Sequence, residues 1–316
     1  MDRFWGYLSA IIVAILFGVW FSLDKILLGY LHPLALAAMV YTLASVFLFL
    51  IRLSPLHPHI LEIIHRESKV EIHISQRNYI TLFLTALFGA VIAPALYLNG
   101  LNQITAVNAA LLTNVEILFI ILLGIFFLKE KVKPKDIVGF AFLLLGAIFL
   151  STNNLQDLSF DQSLVGSLLV VGSCFFWSMD TTLTKFLSNK RDIFFLTGLK
   201  CGIGGFILFL ISFCLGLSFT LPLDKVPLLL FIGLVCMSFS IVLIYLAIRE
   251  IGSTRTGSIF STSSLFGALI AFIVLGEPLN VTQLLFGVLM FVGILILYKN
   301  GDVKNETKRG YKVKSH

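Results

Sequence analysis

The stretch ITAVNAALLTNVEILFIILLGIFFLKE, residues 104–130, returns in altered form as IGSTRTGSIFSTSSLFGALIAFIVLGE, residues 251–277. Matched positions are 147 residues apart. Because leucine and isoleucine matches arise easily in an apolar chain, the pairing of Glu130 with Glu277 carries most of the weight. Both glutamates end an apolar run, and we expect them to cap or orient the turn that follows.

A second match, at a spacing of 160 residues, relates residues 17–27 to residues 177–187. The sequence therefore predicts two related halves, 1–155 and 156–300, followed by a basic cytoplasmic tail, 301–316. Internal repeats of this kind are typical of secondary transporters, which bind their substrate between the halves near the middle of the membrane.

The composition indicates that this chain is embedded in a lipid membrane. Apolar residues make up 58% of the 316 residues, charged residues 13%, and the mean hydropathy is +0.98. Soluble proteins carry about 25% charged residues. The net charge of +6 is spread over the loops that flank the apolar blocks, so it predicts no nucleic-acid partner. The chain contains none of the common enzyme motifs, and we expect neither catalysis, a cofactor nor a bound metal.

The apolar residues fall into ten blocks, each near the length that crosses a bilayer as a helix. They lie at about 5–28, 33–52, 79–99, 104–128, 136–151, 164–187, 193–212, 226–247, 256–275 and 281–298. Five blocks belong to each half, and because five is odd, the second half enters the membrane from the opposite side. The predicted fold is an all-α polytopic membrane protein of ten transmembrane helices in two inverted five-helix repeats.

Charge sets the orientation. With a cytoplasmic N-terminus, 20 of the 23 lysines and arginines fall on the cytoplasmic side of the membrane. We therefore expect a multi-pass protein of the cell membrane with both termini in the cytoplasm.

Glu116 is the first candidate for a transport pathway, because an ionisable side chain inside a membrane helix is costly. On a regular helix Thr105, Asn108, Thr113 and Glu116 share one broad face, whereas Asn114 points elsewhere. Such a polar face suits a water-filled cavity. The alternative is a neutral Glu116, hydrogen-bonded within a helix interface.

The ninth apolar block corresponds to the fourth in the repeat but carries different side chains. At the 147-residue spacing Asn108 corresponds to Arg255, and Glu116 corresponds to Ser263. Most hydroxyl groups of this block are expected to serve close helix packing, and a few, Ser263 among them, to line a cavity opposite Glu116.

Asp180 is the second candidate, three residues after Trp177. It can bind a cationic group of a substrate, carry a proton, or pair locally with Lys185. Lys200 is free to pair with a carboxylate or to reach the interface. Asp24 is expected to lie at the membrane boundary.

Two further features concern the third predicted helix and the loop that precedes it. Pro94 predicts a kink in the third helix and a freed carbonyl group near Ala90, and the polar side chains of Tyr97 and Asn99 follow on the same segment. The loop at 53–78 carries four histidines and three glutamates, listed in order as His57, His59, Glu62, His65, Glu67, Glu71 and His73. A metal-binding loop is one reading of it, and an amphipathic helix on the membrane surface is the favoured one.

The architecture resembles the drug/metabolite transporter superfamily, and its EamA-type members in particular, from about residue 5 to residue 298. The motifs that carry the resemblance are Leu-Lys-Glu at 128–130, Leu-Gly-Glu at 275–277, and the aromatic-to-lysine stretches at 17–25 and 177–185. Where the family usually has Trp-Gly in its first helix, this chain has Phe17-Gly18. The resemblance implies export or exchange of a small metabolite, such as an amino acid or a related compound, coupled to an ion gradient or to a counter-substrate.

Function is thus expected to be secondary active transport by alternating access, with a cavity lined by helices 1, 3, 4, 6, 8 and 9. The candidate pathway residues are Glu116, Asp180, Asn108, Thr113, Tyr97, Trp177, Arg255 and Ser263. A channel-like passive facilitator and a membrane scaffold or sensor without transport are the alternatives. The partners are a small-molecule substrate and the lipid bilayer, with protons or a counter-substrate as the coupled species and the oligomeric state open.

Overall fold

A computed structural model describes residues 3–55, 57–58, 76–128, 134–151, 162–187 and 192–313, and the regular structure of these residues is helical. Five helices run without interruption. They are α1 (Arg3–Leu27), α2 (Pro33–Leu53), α5 (Pro134–Ser151), α6 (Gln162–Leu187) and α7 (Ile193–Cys214). A sixth, α10 (Val281–Val313), carries the helix on into the basic tail.

The remaining helices are interrupted. Helix α3 (76–103) consists of Gln76–Ala86, a π-helical segment Leu87–Ile92 and Ala93–Gln103. Helix α4 (106–128) consists of Ala106–Leu112 and Val115–Leu128. Helix α8 (223–251) joins Leu223–Lys225, Val226–Leu230, the π-helical Phe231–Phe239 and Ser240–Ile251. Helix α9 (253–275) joins Ser253–Phe260, Ser263–Ile270 and the π-helical Ala271–Leu275.

Seven of the described helices are long and apolar enough to cross a bilayer. These spans are Phe4–Leu27, Pro33–Leu53, Asn78–Gln103, Ala106–Gly124, Gln162–Thr184, Phe194–Cys214 and Leu223–Ile248. Three shorter apolar helices accompany them, at Ile137–Leu150, Ser263–Leu275 and Val281–Leu297. The chain is therefore a polytopic, helical membrane protein. Ten crossings in two inverted repeats stay a prediction.

The breaks in α4 and α9 were not expected from the sequence, which predicted regular helices at 104–128 and 256–275. In α4 the Thr113 hydroxyl donates to the carbonyl oxygen of Ala110 (2.6 Å), and in α9 the Thr262 hydroxyl donates to that of Ile259 (2.6 Å). A side chain that competes for a main-chain carbonyl weakens the helical hydrogen-bond ladder at that turn. Side chains beyond each break are consequently rotated relative to those before it.

Helices pack in pairs. Helix α2 lies along α7, and α5 lies along α10. Helix α1 packs against α8 and α9, while α6 packs against α3 and α4. Glycines permit the closest approaches, as at Gly204 of α7, which meets Ala90 of α3.

Gly204→Ala is expected to destabilise the bundle by about 1–3 kcal/mol, the usual cost of overpacking. The added methyl group would overlap the Ala90 side chain and lie 2.8 Å from the Ala90 carbonyl oxygen. Gly172→Ala is the matched control, because its methyl group would meet Leu96 at an ordinary 3.6 Å. Thermal unfolding in detergent should separate the two variants, and equal midpoints would contradict the packing of α7 on α3.

Candidate functional site

A cavity of about 440 Å³ lies inside the helix bundle. All the predicted lining helices, α1, α3, α4, α6, α8 and α9, contribute to it, and so do α2 through Tyr41 and α7 through Lys200. Its ionisable lining groups include Glu116, Asp180 and Lys200. The size and the mixture of apolar walls with a few polar groups are typical of a small-molecule site.

Asp180 and Lys200 form an ion pair between α6 and α7. The Thr184 hydroxyl donates a further hydrogen bond to Asp180 Oδ1 (3.2 Å). Only 9% of the Asp180 side chain and 20% of the Lys200 side chain are exposed. Because a buried ammonium requires a partner, this pair decides the charge on one wall of the cavity. A methyl group at Gly89 would overlap the Asp180 carboxylate, so glycine makes room for the pair.

Glu116 lines the cavity from α4, beside Thr181 of α6. Within the described part of the chain no ion pair is found for Glu116, because the Lys200 ammonium lies on Asp180. The cavity therefore contains one paired carboxylate and one further carboxyl group.

Aromatic side chains form a further part of the cavity wall. The ring centroids of Trp20 and Trp177 lie 6.5 Å apart, and Tyr97 packs on both, at 6.3 Å from Trp20 and 5.3 Å from Trp177. Both tryptophans line the cavity, whereas Tyr97 is 1% exposed and lies behind them. Tyr97 therefore supports the wall rather than forming its surface.

The structure brings together five of the predicted pathway residues: Thr113, Glu116, Trp177, Asp180 and Ser263. The other three lie elsewhere. Tyr97 is buried behind the wall, the Asn108 side chain accepts a hydrogen bond from Gln283 Nε2 (2.8 Å), and Arg255 is exposed outside the cavity.

Three further residues occupy positions that the sequence left open or assigned differently. Asn114 was assigned to another face of α4, but the break at this turn rotates it into the cavity lining. For Lys200 the sequence left two alternatives open, pairing with a carboxylate or reaching the interface, and the structure pairs it with Asp180. Asp24, expected near the membrane boundary, is 1% exposed because neighbouring helices cover the end of α1.

Part of the histidine loop can be located. His57 Nε2 lies 3.1 Å from Asp192 Oδ2, and the Arg52 guanidinium bonds the same oxygen at 3.0 Å. Asp192 also caps the first turn of α7. The other three histidines and the three glutamates of the loop lie outside the described residues, and so the metal hypothesis stays untested.

Polar contacts close the bundle on the side away from Lys200. The Lys25 ammonium of α1 donates to the carbonyl oxygens of Leu101 (2.6 Å) and Ile104 (2.7 Å) at the end of α3. The Glu277 carboxylate accepts from the main-chain N–H groups of Ala106 and Val107, at 3.0 Å each. We call Lys25 and Glu277 together the turn clamp.

The sequence predicted that Glu277 would cap or orient the turn that follows it. In the structure Glu277 caps the first turn of α4 instead. Glu130, its match in the first half, lies outside the described residues. The clamp ties the end of α9 to the turn between α3 and α4, and therefore connects the two parts of the chain.

The cavity and the turn clamp lie toward opposite ends of the helices. Helices α6 and α8 end, and α7 and α9 begin, at one end of the bundle, which we call the near face. Thr197 and Lys200 of α7 lie four and seven residues beyond its start at Ile193, about 6–11 Å along the helix. The clamp lies where α1, α3 and α9 end, which we call the far face.

The helices and the cavity define a class: a multi-pass membrane protein with an internal site for a small solute. The EamA-like transporter family model matches residues 4–152 and 164–299, and the chain belongs to this family. It is 45% identical to an uncharacterized transporter of Methanothermobacter thermautotrophicus, over 95% of this chain and 88% of that one. It is 25% identical to the uncharacterized transporter YyaM of Bacillus subtilis, over 92% of both chains.

One solved crystal structure has a TM-score of 0.63 to this chain at 13% identity, covering 92% of this chain and 94% of the other. At that identity the likeness shows the fold alone. Family membership makes the protein a membrane-embedded transporter with a small-molecule substrate rather than an enzyme.

Asp180→Asn is expected to cost about 3–5 kcal/mol of stability, because it leaves the Lys200 ammonium buried without a partner. Adding Lys200→Met should restore most of the loss, since the double variant holds no unpaired charge. Asp224→Asn is the control, because Asp224 belongs to the exposed Asp224–Lys225 pair and its loss should leave the unfolding midpoint unchanged. A double variant no more stable than Asp180→Asn alone would contradict the buried pair.

Proposed function

We propose that this protein is a secondary active transporter that carries a small metabolite through the cavity by alternating access. One observation carries the proposal: a solute-sized cavity with charged lining groups lies toward one face while the turn clamp closes the other. A channel would need a hydrated path through both faces. A scaffold or sensor would need neither the cavity nor the buried ion pair.

Alternating access is supported by the symmetry of the helices. The π-helical segment of α3 (87–92) and the break in α4 (113–114) have counterparts in α8 (231–239) and α9 (261–262), close to the 147-residue spacing. The packing shows the same symmetry: α1 of the first half packs on α8 and α9 of the second, and α6 of the second half packs on α3 and α4 of the first. We infer ten crossings in two inverted repeats, 1–155 and 156–300, which rock about the cavity.

Orientation follows from charge. The near face receives the positively charged loops, and by the positive-inside rule it is the cytoplasmic face. We infer that the protein lies in the cell membrane with both termini in the cytoplasm, and that the conformation described here is open to the inside.

The lining groups support a substrate that carries a protonated amine. With both carboxylates ionised, Glu116, Asp180 and Lys200 give the cavity one net negative charge. The indole rings of Trp20 and Trp177 offer faces that attract cations. We infer an amino acid or a related compound, exported or exchanged, with Glu116 and Asp180 in contact with the substrate or with protons.

The other candidates take supporting positions in this proposal. Thr113 and Ser263 offer hydroxyl groups to the solute, and Trp177 forms the aromatic wall that Tyr97 supports. Asn108 holds α4 against α10 through Gln283. Arg255 is exposed at the start of α9 on the near face, where it can meet the solute as it enters.

Counterflow in proteoliposomes tests the proposal. Amine-bearing metabolites are first screened for those that raise the unfolding midpoint of the purified protein, since a bound ligand stabilises the folded state. A hit should show saturable counterflow, and Glu116→Gln should lower its rate at least tenfold or abolish its pH dependence. Asp224→Asn, an exposed carboxylate outside the cavity, is the control.

Two results would contradict the proposal. Uptake that does not saturate and ignores a counter-substrate would identify a passive facilitator. Full activity and an unchanged pH profile in Glu116→Gln would remove Glu116 from the mechanism.

A further inference from the structure

Asp24 is a buried acidic group that the cavity does not use. It lies on α1, 1% exposed, between Trp20, which lines the cavity, and Lys25 of the turn clamp. Its Oδ1 has no hydrogen-bond partner within the described residues, and neither has the buried Trp20 indole N–H beside it nor the buried hydroxyl group of Tyr97 close by.

No cation reaches this carboxyl group among the described residues. The titratable groups close enough to interact with it are Tyr97 of α3, Tyr41 of α2 and Cys236 of α8, all of which are neutral or negative. The neighbouring Lys25 ammonium lies on the carbonyl oxygens of α3, and the Lys200 ammonium lies on Asp180.

The two halves differ at the position of the buried cation. At the 160-residue spacing Lys200 corresponds to Val40, an apolar residue that is 3% exposed. The first helix of each half carries one buried aspartate, Asp24 on α1 and Asp180 on α6, one turn apart in the matched numbering, and α2 offers Val40 where α7 offers the Lys200 ammonium. An ionised carboxylate buried without a partner costs several kcal/mol, and the group takes up a proton instead.

We propose that Asp24 is a proton-binding site that couples protonation to closure of the far face. While the clamp is closed, Asp24 is a neutral carboxylic acid. When the far face opens, water reaches it, the acid O–H bond breaks, and the proton passes to that water. The linkage rests on the proposed alternating access, whereas the protonation state does not.

The protonation state of Asp24 is tested first, by infrared difference spectroscopy of the full-length protein in nanodiscs at pH 7. Wild type minus Asp24→Asn should contain the carbonyl stretch of a protonated carboxylic acid. Wild type minus Asp224→Asn should contain only carboxylate bands, because Asp224 is exposed. Carboxylate bands in the Asp24 difference would overturn the proposal, whatever the transport assays give.

The linkage is tested by cysteine labelling. Leu98→Cys, 4% exposed beside Tyr97, reports on the far face when Cys174, Cys201 and Cys236 are replaced by serine. Cys214, exposed at the far-face end of α7, stays as an internal reference for the pH dependence of the thiol reaction itself.

The closed state binds one proton more than the open state, so raising the pH should open the far face. The labelling rate at position 98 relative to Cys214 should rise by up to about tenfold per pH unit in wild type. In Asp24→Asn, which mimics the neutral acid, it should change less than about twofold. Equal pH dependence in both proteins would overturn the linkage, and a position 98 that never reacts would contradict alternating access as well.

Discussion

The turn between α3 and α4 depends on two charged side chains from distant parts of the chain. The last carbonyl groups of one helix and the first N–H groups of the next have no partners within their own helices. Where lipid and protein exclude water, each unsatisfied group would cost several kcal/mol. The Lys25 ammonium satisfies two carbonyl oxygens, and the Glu277 carboxylate satisfies two N–H groups. Charge-assisted hydrogen bonds of this kind are each worth about 1.5–3 kcal/mol.

Because Glu277 follows α9, these hydrogen bonds also fasten the second half of the chain to the first at the far face. The far face is closed because the unpaired main-chain groups of the α3–α4 turn find their hydrogen-bond partners there. The cavity consequently lies toward the near face, where α1 to α4 and α6 to α9 line it. In the proposed repeat the chemistry of the halves differs: Asp180 stands where the first half has Trp20, and Ser263 stands where it has Glu116.

Much of this could be predicted from the sequence. Apolar block length located the helices, and the cost of charge in lipid singled out Glu116 and Asp180, which both line the cavity. Three features could not be found this way. The hydroxyl group of Thr113 breaks the 3.6-residue periodicity that had turned Asn114 away from the site. The pairing of Asp180 with Lys200 depends on how α6 meets α7, and the burial of Asp24 depends on the helices that cover the end of α1.

Two distances measured by pulsed electron paramagnetic resonance test alternating access most directly. One pair of spin labels, at Gln103 and Asn280, spans the turn clamp at the far face, and a second pair, at Phe126 and Arg255, spans the mouth of the cavity at the near face; all four positions are exposed. Alternating access predicts two distance populations for each pair of labels. The longer far-face distance should accompany the shorter near-face distance as pH or ligand is varied. A single distance for both pairs under every condition, or distances that lengthen together, would contradict it.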